Sequence, residues 1–294
     1  MKIGVSTPVV CQVPGACSEW ERDGEIEDLA EIAQAADELG FAYLTCAEHV
    51  AVPVDVAARR GGVYWDPAVT LGYLAACTRR IMLATSVVVL GYHHPLALAK
   101  RYGTLDRISG GRLVLGVGVG SLAEEFAMLG ADFTDRGARA DDAMRALRAA
   151  LSQREPAYAG AHYEFGGMLV EPHAVQGRVP LWVGGRSARS LRRARTLGDG
   201  WMPFGLSTTA LGDMLARADL PDGFEVVLPS GPLDPGDDPG GTTKRLVALR
   251  DAGATAVTVS ISADSCAHYC EQLATLHRLA AAMEDREGKS GNDG

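Results

Sequence analysis

Several features that mark common protein classes are missing from this 294-residue sequence. Acidic residues outnumber basic ones, and the formal net charge of −9 argues against a nucleic-acid partner, which would need a basic surface. No apolar run approaches the roughly 20 residues that a membrane-spanning helix needs. The first residues, Met-Lys-Ile-Gly-Val, enter a strand pattern without the apolar stretch of a secretory signal. These absences predict a cytoplasmic protein with no membrane or nucleic-acid partner.

The sequence also lacks the usual arrangements of metal ligands. No two of the six cysteines form a Cys-x-x-Cys pair, and we interpret them as buried or incidental thiols of a reducing compartment. Cys266 and Cys270 lie four residues apart on a predicted helix, but no second ligand pair accompanies them. His93 and His94 are adjacent, and neither has an Asp or Glu four residues later. We therefore predict no metal site.

The most informative feature present is a glycine run directly after an apolar strand. Gly116-Val-Gly-Val-Gly120 is not a dinucleotide fingerprint, because its third glycine comes one residue too early, and no Walker lysine follows it. A second glycine turn, Gly184-Gly185, follows the strand pattern at 181–183. Two bare turns at the ends of buried strands predict a cofactor across the mouth of a barrel. The alternative is that both turns only permit tight packing.

Short apolar strands alternate with amphipathic helices along the chain, which favours one α/β domain. Eight strands are predicted near Ile3–Ser6, Ala42–Cys46, Ile81–Val89, Arg112–Gly116, Pro180–Val183, Gly200–Pro203, Phe224–Leu228 and Thr255–Ser260. Helices are predicted at Ile26–Leu39, Pro67–Cys77, Pro95–Ile108, Arg139–Leu151, Ser187–Leu197, Thr208–Ala218, Thr242–Asp251 and Ala263–Met283. Eight such units predict a (β/α)8 TIM barrel. An open doubly wound sheet is the alternative.

Three connections are longer than usual. Residues 50–65 and 229–241 follow the second and seventh strands, so we expect these insertions on the catalytic face of the barrel. Residues 154–179 are expected to contain a hairpin through 163–165 and 168–170. We assign residues 1–285 to a single domain and residues 286–294 to a flexible polar tail.

Candidate catalytic residues stand just past the second strand. His49 is suited to proton transfer near neutral pH, and the adjacent Glu48 could hold it or bind a polar cofactor edge. A structural role for the histidine is the equal alternative. Ser121 and Glu124 form a capping-box pattern at a helix start, with a ligand contact by Ser121 as an added possibility.

The segment after Gly184 and Gly185 indicates an anion site. Ser187 is a good N-cap, and Arg186 and Arg189 place positive charge at the positive end of a helix dipole. A bound phosphate would make that placement favourable. Solvated, screened arginines are the alternative. Elsewhere, Asp106 and Arg112 flank a helix end and a turn, and we expect them to form a buried pair.

Together these segments resemble the luciferase-like monooxygenase superfamily, most closely its branch of deazaflavin (coenzyme F420)-dependent oxidoreductases. The matching motifs are Ala-Glu-His-Val at 47–50, Trp-Asp-Pro at 65–67, Ala-Thr-Ser-Val-Val-Val-Leu at 84–90, His-His-Pro-Leu at 93–96, Leu-Asp-Arg-Ile-Ser-Gly-Gly-Arg-Leu-Val-Leu-Gly-Val-Gly-Val-Gly at 105–120, Glu-Glu-Phe at 124–126, Arg-Gly-Ala-Arg at 136–139, Trp-Val-Gly-Gly at 182–185 and Leu-Gly-Asp-Gly-Trp at 197–201. Each motif is weak alone, but their order and spacing are specific for the superfamily.

The resemblance implies a flavin-type ring at the carboxyl ends of the strands, with contacts to Gly118, Gly120 and Ser121. It implies a cis Ser86-Val87 peptide bond behind the ring. It also places the cofactor phosphate at Gly184, Gly185, Arg186, Ser187 and Ser190. His49 matches a proposed proton-transfer residue, and Glu48 stands where an aspartate is usual. Ser121 replaces the acidic glutamate of some deazaflavin dehydrogenases, which makes a sugar-phosphate dehydrogenase activity unexpected.

The leading hypothesis is hydride transfer between coenzyme F420 and a small organic substrate. The alternative enzyme is an FMN-dependent monooxygenase that takes reduced flavin from a separate reductase and uses O2. A catalytically silent flavin-binding homologue is the non-enzyme alternative. Because deazaflavin carries an acidic oligoglutamate tail, a basic groove near the phosphate would favour F420, and Arg189, Arg192 and Arg193 are the candidates to line it. The superfamily often pairs barrels, so a homodimer is expected.

Overall fold

A computed structural model describes residues 1–290 of the chain, with side chains described up to residue 283. Its centre is a closed barrel of parallel strands, which confirms the predicted (β/α)8 architecture and rules out the open sheet. Strand β8 pairs with β1, and β3 pairs with β4, so the ring has no free edge. The strands are β1 Lys2–Ser6, β2 Tyr43–Cys46, β3 Met82–Thr85 continued by Val88–Val89, β4 Leu113–Gly118, β5 Leu181–Gly184, β6 Gly200–Met202, β7 Glu225–Leu233 and β8 Ala256–Ile261.

Eight helices surround the barrel and bury their apolar faces against it. They are α1 Ile26–Leu39, α2 Pro67–Cys77, α3 Pro95–Ser109, α4 Arg136–Ala150, α5 Ala188–Leu197, α6 Thr208–Ala216, α7 Pro239–Asp251 and α8 Cys266–Ser290. Short helices lie at Glu19–Arg22, Val54–Arg60, Leu90–Tyr92 and Ala123–Met128. Within the described residues, no helix is both long enough and apolar enough to cross a membrane.

Some predicted boundaries are wrong for local reasons. β7 runs to Leu233, although its prolines and glycines predict a loop from residue 229, because a register shift between Pro229 and Pro232 lets the strand continue beside β8. The hairpin pairs Tyr158–Ala159 with Glu164–Phe165, not with residues 168–170. Helix α8 extends to Ser290, past the predicted end at Met283. Of the predicted tail 286–294, the last four residues lie outside the described residues.

The expected Asp106–Arg112 pair is also wrong, although both residues are buried. The guanidinium of Arg112 donates to backbone carbonyls of Ala75, Thr78, Ile81 and Ser109 and to the Thr78 hydroxyl. The Asp106 carboxylate instead accepts from the amides of Leu113, Val175 and Gln176 and from the Gln176 side chain. Each group finds a complete set of neutral partners, so no ion pair forms between them.

Candidate functional site

The carboxyl ends of the barrel strands surround a cavity of about 430 Å³. Its wall contains nine of the twelve predicted site residues: Glu48, His49, Ser86, Val87, Gly118, Gly120, Ser121, Gly184 and Gly185. The other three, Arg186, Ser187 and Ser190, follow Gly185 at the start of α5. Because β4 and β5 are parallel neighbours, with Val117 opposite Val183, the two glycine turns meet at the same edge of the barrel. The insertion at 50–65 adds Arg60 and Tyr64 to the wall.

His49 is held by a buried carboxylate that the sequence analysis did not identify as functional. Its Nδ1 atom lies 2.8 Å from Oε2 of Glu125, a residue with no exposed surface. The other oxygen of Glu125 accepts the amides of Val50 and Ala51, and the Tyr92 hydroxyl donates to Oε2 at 2.6 Å. Burial alone would raise the pKa of Glu125, but the hydrogen bonds from Tyr92 and His49 hold that pKa below its usual range.

An ionised Glu125 determines which ring nitrogen of His49 carries the proton. With the carboxylate as acceptor, Nδ1 of a neutral imidazole carries the proton and Nε2 keeps its lone pair. No residue of the described chain makes a hydrogen bond to Nε2, and His49 lines the cavity. The Tyr64 ring packs edge-on against the imidazole, with centroids 4.6 Å apart. The arrangement gives a fixed imidazole that can accept or return a proton at Nε2.

Glu48 is engaged inside the protein. Its Oε2 accepts the amide of Val89 at 2.7 Å, and its Oε1 lies 2.7 Å from Nε2 of His93. Only 6% of the residue is exposed. Glu48 therefore joins the end of β2 to the second half of β3 and does not hold His49.

The predicted capping box at Ser121 and Glu124 is wrong. The helix begins at Ala123 after Leu122, with no side-chain cap. The Ser121 hydroxyl instead accepts a hydrogen bond of 2.8 Å from Nη1 of Arg60. Ser121 is thus part of the cavity wall and anchors the insertion that carries Arg60.

The glycines on β4 and β5 make room for protein atoms. A Cβ atom on Gly118 would lie 2.6 Å from Cγ2 of Val87, and one on Gly184 would lie 2.9 Å from Cγ1 of the same side chain. The Ser86-Val87 peptide bond is cis, as the resemblance implies, and it divides β3 into two segments. Tight packing around Val87 therefore requires these glycines, while their backbone still lines the cavity.

The later glycine of each turn has a positive φ as well as a close neighbour. Gly120 has φ +80°, and a Cβ atom added to it would lie 2.4 Å from Cε2 of Phe126. Gly185 has φ +129° and would place a Cβ 2.7 Å from Cβ of Ser190. Only glycine fits these two conformations and neighbours without rearrangement.

The start of α5 is capped as predicted. The Ser187 side chain accepts the Ser190 amide, and the Ser190 hydroxyl accepts from the Ser187 amide and from Nε1 of Trp201. Ser190 is buried and its hydroxyl is fully used by the protein. Arg186 is exposed, with its guanidinium 5.9 Å from the centre of the Phe204 ring at the cavity wall. Neither Arg186 nor Arg189 forms an ion pair with any described residue.

A second concavity of about 340 Å³ lies between α5 and α6. Three exposed arginines and one acidic residue line it around an apolar floor: Arg192, Arg195, Arg217 and Asp213, with Ala188, Leu191, Met214 and Ala218. We call it the arginine groove. Of the three arginines predicted to line a basic groove, Arg192 lines the arginine groove and Arg189 lies outside it. Arg193 is buried, and its guanidinium donates to Asp141 and to the Gly137 carbonyl.

One possible metal-binding cluster occurs in the described part of the chain. Ligand atoms of Glu31, Cys266 and Cys270 lie within 4.8 Å of one another, and none of these residues lines the cavity. Burial raises the pKa of Cys266 to about 12, which favours the thiol over the metal-binding thiolate.

Sequence reasoning missed three contributors to the site. In the sequence, Glu125 stands out only as part of the matching Glu-Glu-Phe motif. Arg60 and Tyr64 stand out only as residues of a long insertion. The signal that could have found Glu125 is an acidic residue one turn into a helix directly after the glycine run. Its distance of 76 residues from His49 hides the pairing.

Residues 1–220 match the family model described as luciferase-like monooxygenase. An uncharacterized protein of Mycobacterium tuberculosis is 32% identical over 186 residues, which cover 59% of this chain and 66% of that protein, just under two thirds of its length. Among solved structures, the monooxygenase RslO1 from Streptomyces bottropensis has a TM-score of 0.75 at 21% identity, covering 97% of this chain and 100% of that one. An F420-dependent secondary alcohol dehydrogenase, solved with an F420-acetone adduct, has a TM-score of 0.72 at 14% identity, covering 94% and 98%. At these identities the structural likeness shows the fold alone.

Proposed function

The chain belongs to the luciferase-like monooxygenase family, and we propose that it transfers a hydride between deazaflavin coenzyme F420 and a small organic substrate. Membership makes it an oxidoreductase or monooxygenase with a small-molecule substrate. The choice of F420 within that class is the proposal. The observation that carries it is the arginine groove beside the start of α5.

The groove distinguishes the two cofactors by charge. FMN ends at its phosphate, whereas F420 continues beyond its phosphate into an oligoglutamate tail. Arg192 and Arg217 have no ion-pair partner among the described residues, although the chain carries a net charge of −9. Ala188, the first residue of α5, lines the groove and stands three residues after Gly185 at the cavity wall. Arg192 follows Ala188 by four residues, so both lie on the face of α5 that lines the groove.

The cavity fits a planar ring with a phosphate at its edge. Its wall is backbone at Gly118, Gly120, Gly184 and Gly185, and its volume of about 430 Å³ lies in the range of cofactor pockets. The Ser190 amide is capped by the Ser187 side chain, but the amides of Ala188 and Arg189 have no acceptor within the helix. With Arg186 and Ser187, these two amides would hold the phosphate. We leave Ser190 out of this contact set, because its hydroxyl is occupied.

When bound, the deazaflavin supplies the two-electron hydride chemistry. The protein's residues orient the substrate and manage its proton. His49, fixed by Glu125, would take a proton from an alcohol oxygen at Nε2, or return one to a carbonyl oxygen. Arg60, which donates a hydrogen bond to the Ser121 hydroxyl, lines the same cavity.

An FMN-dependent monooxygenase supplied by a separate reductase is the second candidate. One observation favours it: both carboxylates beside the cavity, Glu48 and Glu125, are fully engaged by other groups, so the wall offers no free carboxylic acid. In a deazaflavin dehydrogenase, His49 must then act alone on the substrate proton.

The test compares three ligands by fluorescence titration: F420 with several glutamates, the same coenzyme with its glutamates removed, and FMN. We expect the tail to tighten binding by at least about tenfold at low salt, because exposed opposite charges attract until salt screens them. The variant Arg192→Gln/Arg195→Gln/Arg217→Gln should lose that advantage and bind the shortened coenzyme as before. The matched control Arg59→Gln/Arg79→Gln/Arg107→Gln removes the same charge elsewhere and should keep the advantage.

Other outcomes contradict the proposal. Tighter binding of FMN than of either deazaflavin would favour the second candidate. Equal affinity for the two deazaflavins would mean that the arginine groove does not bind the glutamate tail. Binding of none of the three ligands would favour a catalytically silent homologue.

A further inference from the structure

The cavity wall contains one arginine without a carboxylate partner. Arg60 ends the short helix Val54–Arg60 of the insertion, and no described residue forms an ion pair with it. The wall also contains the imidazole of His49 and the carboxylate of Glu48, which is already bound by Val89 and His93. We infer that Arg60 binds an anionic group of the substrate, so that the natural substrates are carboxylate-bearing compounds; this rests on the proposed function of the same cavity.

Arg60 is positioned by contacts on both sides. The Tyr64 hydroxyl donates to its backbone carbonyl at 2.5 Å, and the Tyr64 ring packs against His49. The next residue, Gly61, has φ +80° and would place a Cβ 2.0 Å from the carbonyl oxygen of Gln12, so only glycine allows this turn. The same tyrosine thus fixes the chain at Arg60 and packs on the imidazole that faces the cavity.

Most N–H donors of the Arg60 guanidinium make no hydrogen bond with the described residues. Its Nη1 bonds the Ser121 hydroxyl, and no other side-chain hydrogen bond from Arg60 occurs with the described residues. A guanidinium carries five N–H donors in a planar fork that matches a carboxylate in a two-bond contact. The carboxylate of the wall, Glu48, is already bound by Val89 and His93 and makes no ion pair with Arg60. A substrate carboxylate therefore completes this side of the cavity, while His49 faces the reacting end.

The insertion offers a matched control. Arg59 stands on the same helix, is exposed, and does not line the cavity. Replacing either arginine by methionine removes the same charge and keeps a long flexible side chain. A difference between the two variants therefore reports on the cavity and not on the net charge.

The probes are 2-naphthoate and 2-naphthamide, which share shape and differ in charge. Their dissociation constants are measured by calorimetry with the wild-type protein, first alone and then saturated with F420. We expect naphthoate to bind at least about tenfold tighter than naphthamide in both states, because two charge-assisted hydrogen bonds replace neutral ones. Arg60→Met should abolish the preference, whereas Arg59→Met should keep it. Unfolding midpoints of all variants establish that they fold.

Several results would overturn the inference. These are equal or undetectable binding of the two probes by the wild type, and a preference that survives in Arg60→Met. A preference that disappears on F420 saturation would also overturn it, because the coenzyme would then occupy Arg60. Failure of F420 to bind at all would contradict the proposed function. The probe affinities measured without coenzyme would still show whether Arg60 binds a carboxylate.

Discussion

His49 and Glu125 share a hydrogen bond of 2.8 Å across 76 residues of sequence, between the end of β2 and the short helix after β4. The carboxylate has no exposed surface and also accepts from Tyr92 and two backbone amides. A buried anion with this many donors keeps the imidazole in one orientation. In the proposed mechanism, this pair orients the imidazole for proton transfer at Nε2.

Replacing His49 by glutamine should lower kcat by roughly 10²–10⁴-fold, the usual contribution of a general acid or base. The coenzyme affinity should remain, because the proposed phosphate contacts lie on α5. Stopped-flow turnover and coenzyme titration measure the two effects separately. A variant that turns over at the wild-type rate would assign His49 a structural role only.

Glu125→Gln keeps the shape of the side chain but removes its charge. We expect a loss of about 1.5–3 kcal/mol in the free energy of unfolding at pH 7, because charge-assisted hydrogen bonds to a buried group are lost. Tyr92→Phe removes one of those bonds and should cost less. Urea denaturation checks both values, and an unchanged stability for Glu125→Gln would show that the buried network contributes nothing.

The acid sensitivity of the fold should depend on Glu125. Its pKa is lower in the folded protein than in the unfolded chain, so its stabilising contribution is present above the ordinary glutamate range. That contribution disappears as the pH falls through the folded-state pKa. The difference in unfolding free energy between the wild type and Glu125→Gln should therefore shrink from pH 7 toward pH 3. A difference that grows on acidification would contradict the assigned direction.

Gly184→Ala should destabilise the barrel by about 1–3 kcal/mol, since the new methyl group overlaps Val87. Gly212→Ala is the control, because its Cβ meets no atom within 4 Å on helix α6 and should be neutral or stabilising by up to about 1 kcal/mol. Adding Val87→Ala to Gly184→Ala should restore part of the loss. Thermal denaturation of the wild type, Gly184→Ala, Val87→Ala and the double variant measures the coupling; strict additivity would mean that the overlap is relieved elsewhere.

Arg112→Lys tests the buried guanidinium that has only neutral partners. Lysine has three donors and cannot reach all five acceptors of Arg112, so we expect a loss of roughly 1–3 kcal/mol. Arg107→Lys, at an exposed position in the last turn of α3, should change stability by less than about 0.5 kcal/mol. Equal unfolding midpoints for the two variants would show that the carbonyl contacts are dispensable.

The sequence predicted the helices and strands that form the barrel, because both leave local signals. Ile26–Leu39 has its apolar residues at helical spacing and ends at Gly40 in the left-handed region, and the structure reproduces these bounds. The strands are short apolar runs, as expected when both faces are buried. The prediction of a loop at 229–233, based on prolines and glycines, was wrong, because pairing with β8 outweighs the low strand propensity of these residues.

For the candidate site, the order of motifs along the chain predicted which strand ends carry polar and bare residues. The motif order did not predict which side chains form hydrogen bonds with one another. Glu48 was expected to hold His49 or to bind a polar cofactor edge. Its carboxylate binds His93, and Glu125, from another element, holds His49. Asp106 and Arg112 are close in sequence yet satisfied by separate sets of backbone groups.

The amino-acid order alone determined the repeating strand–helix unit and, through it, the edge of the barrel where the glycine turns and His49 collect. Only the folded chain decided which side chains meet there. Strand and helix formation depend on neighbours a few residues away, whereas a hydrogen bond between distant residues depends on barrel closure and strand register. Those contacts orient His49, place Val87 against the glycines and leave Arg60 without an anion.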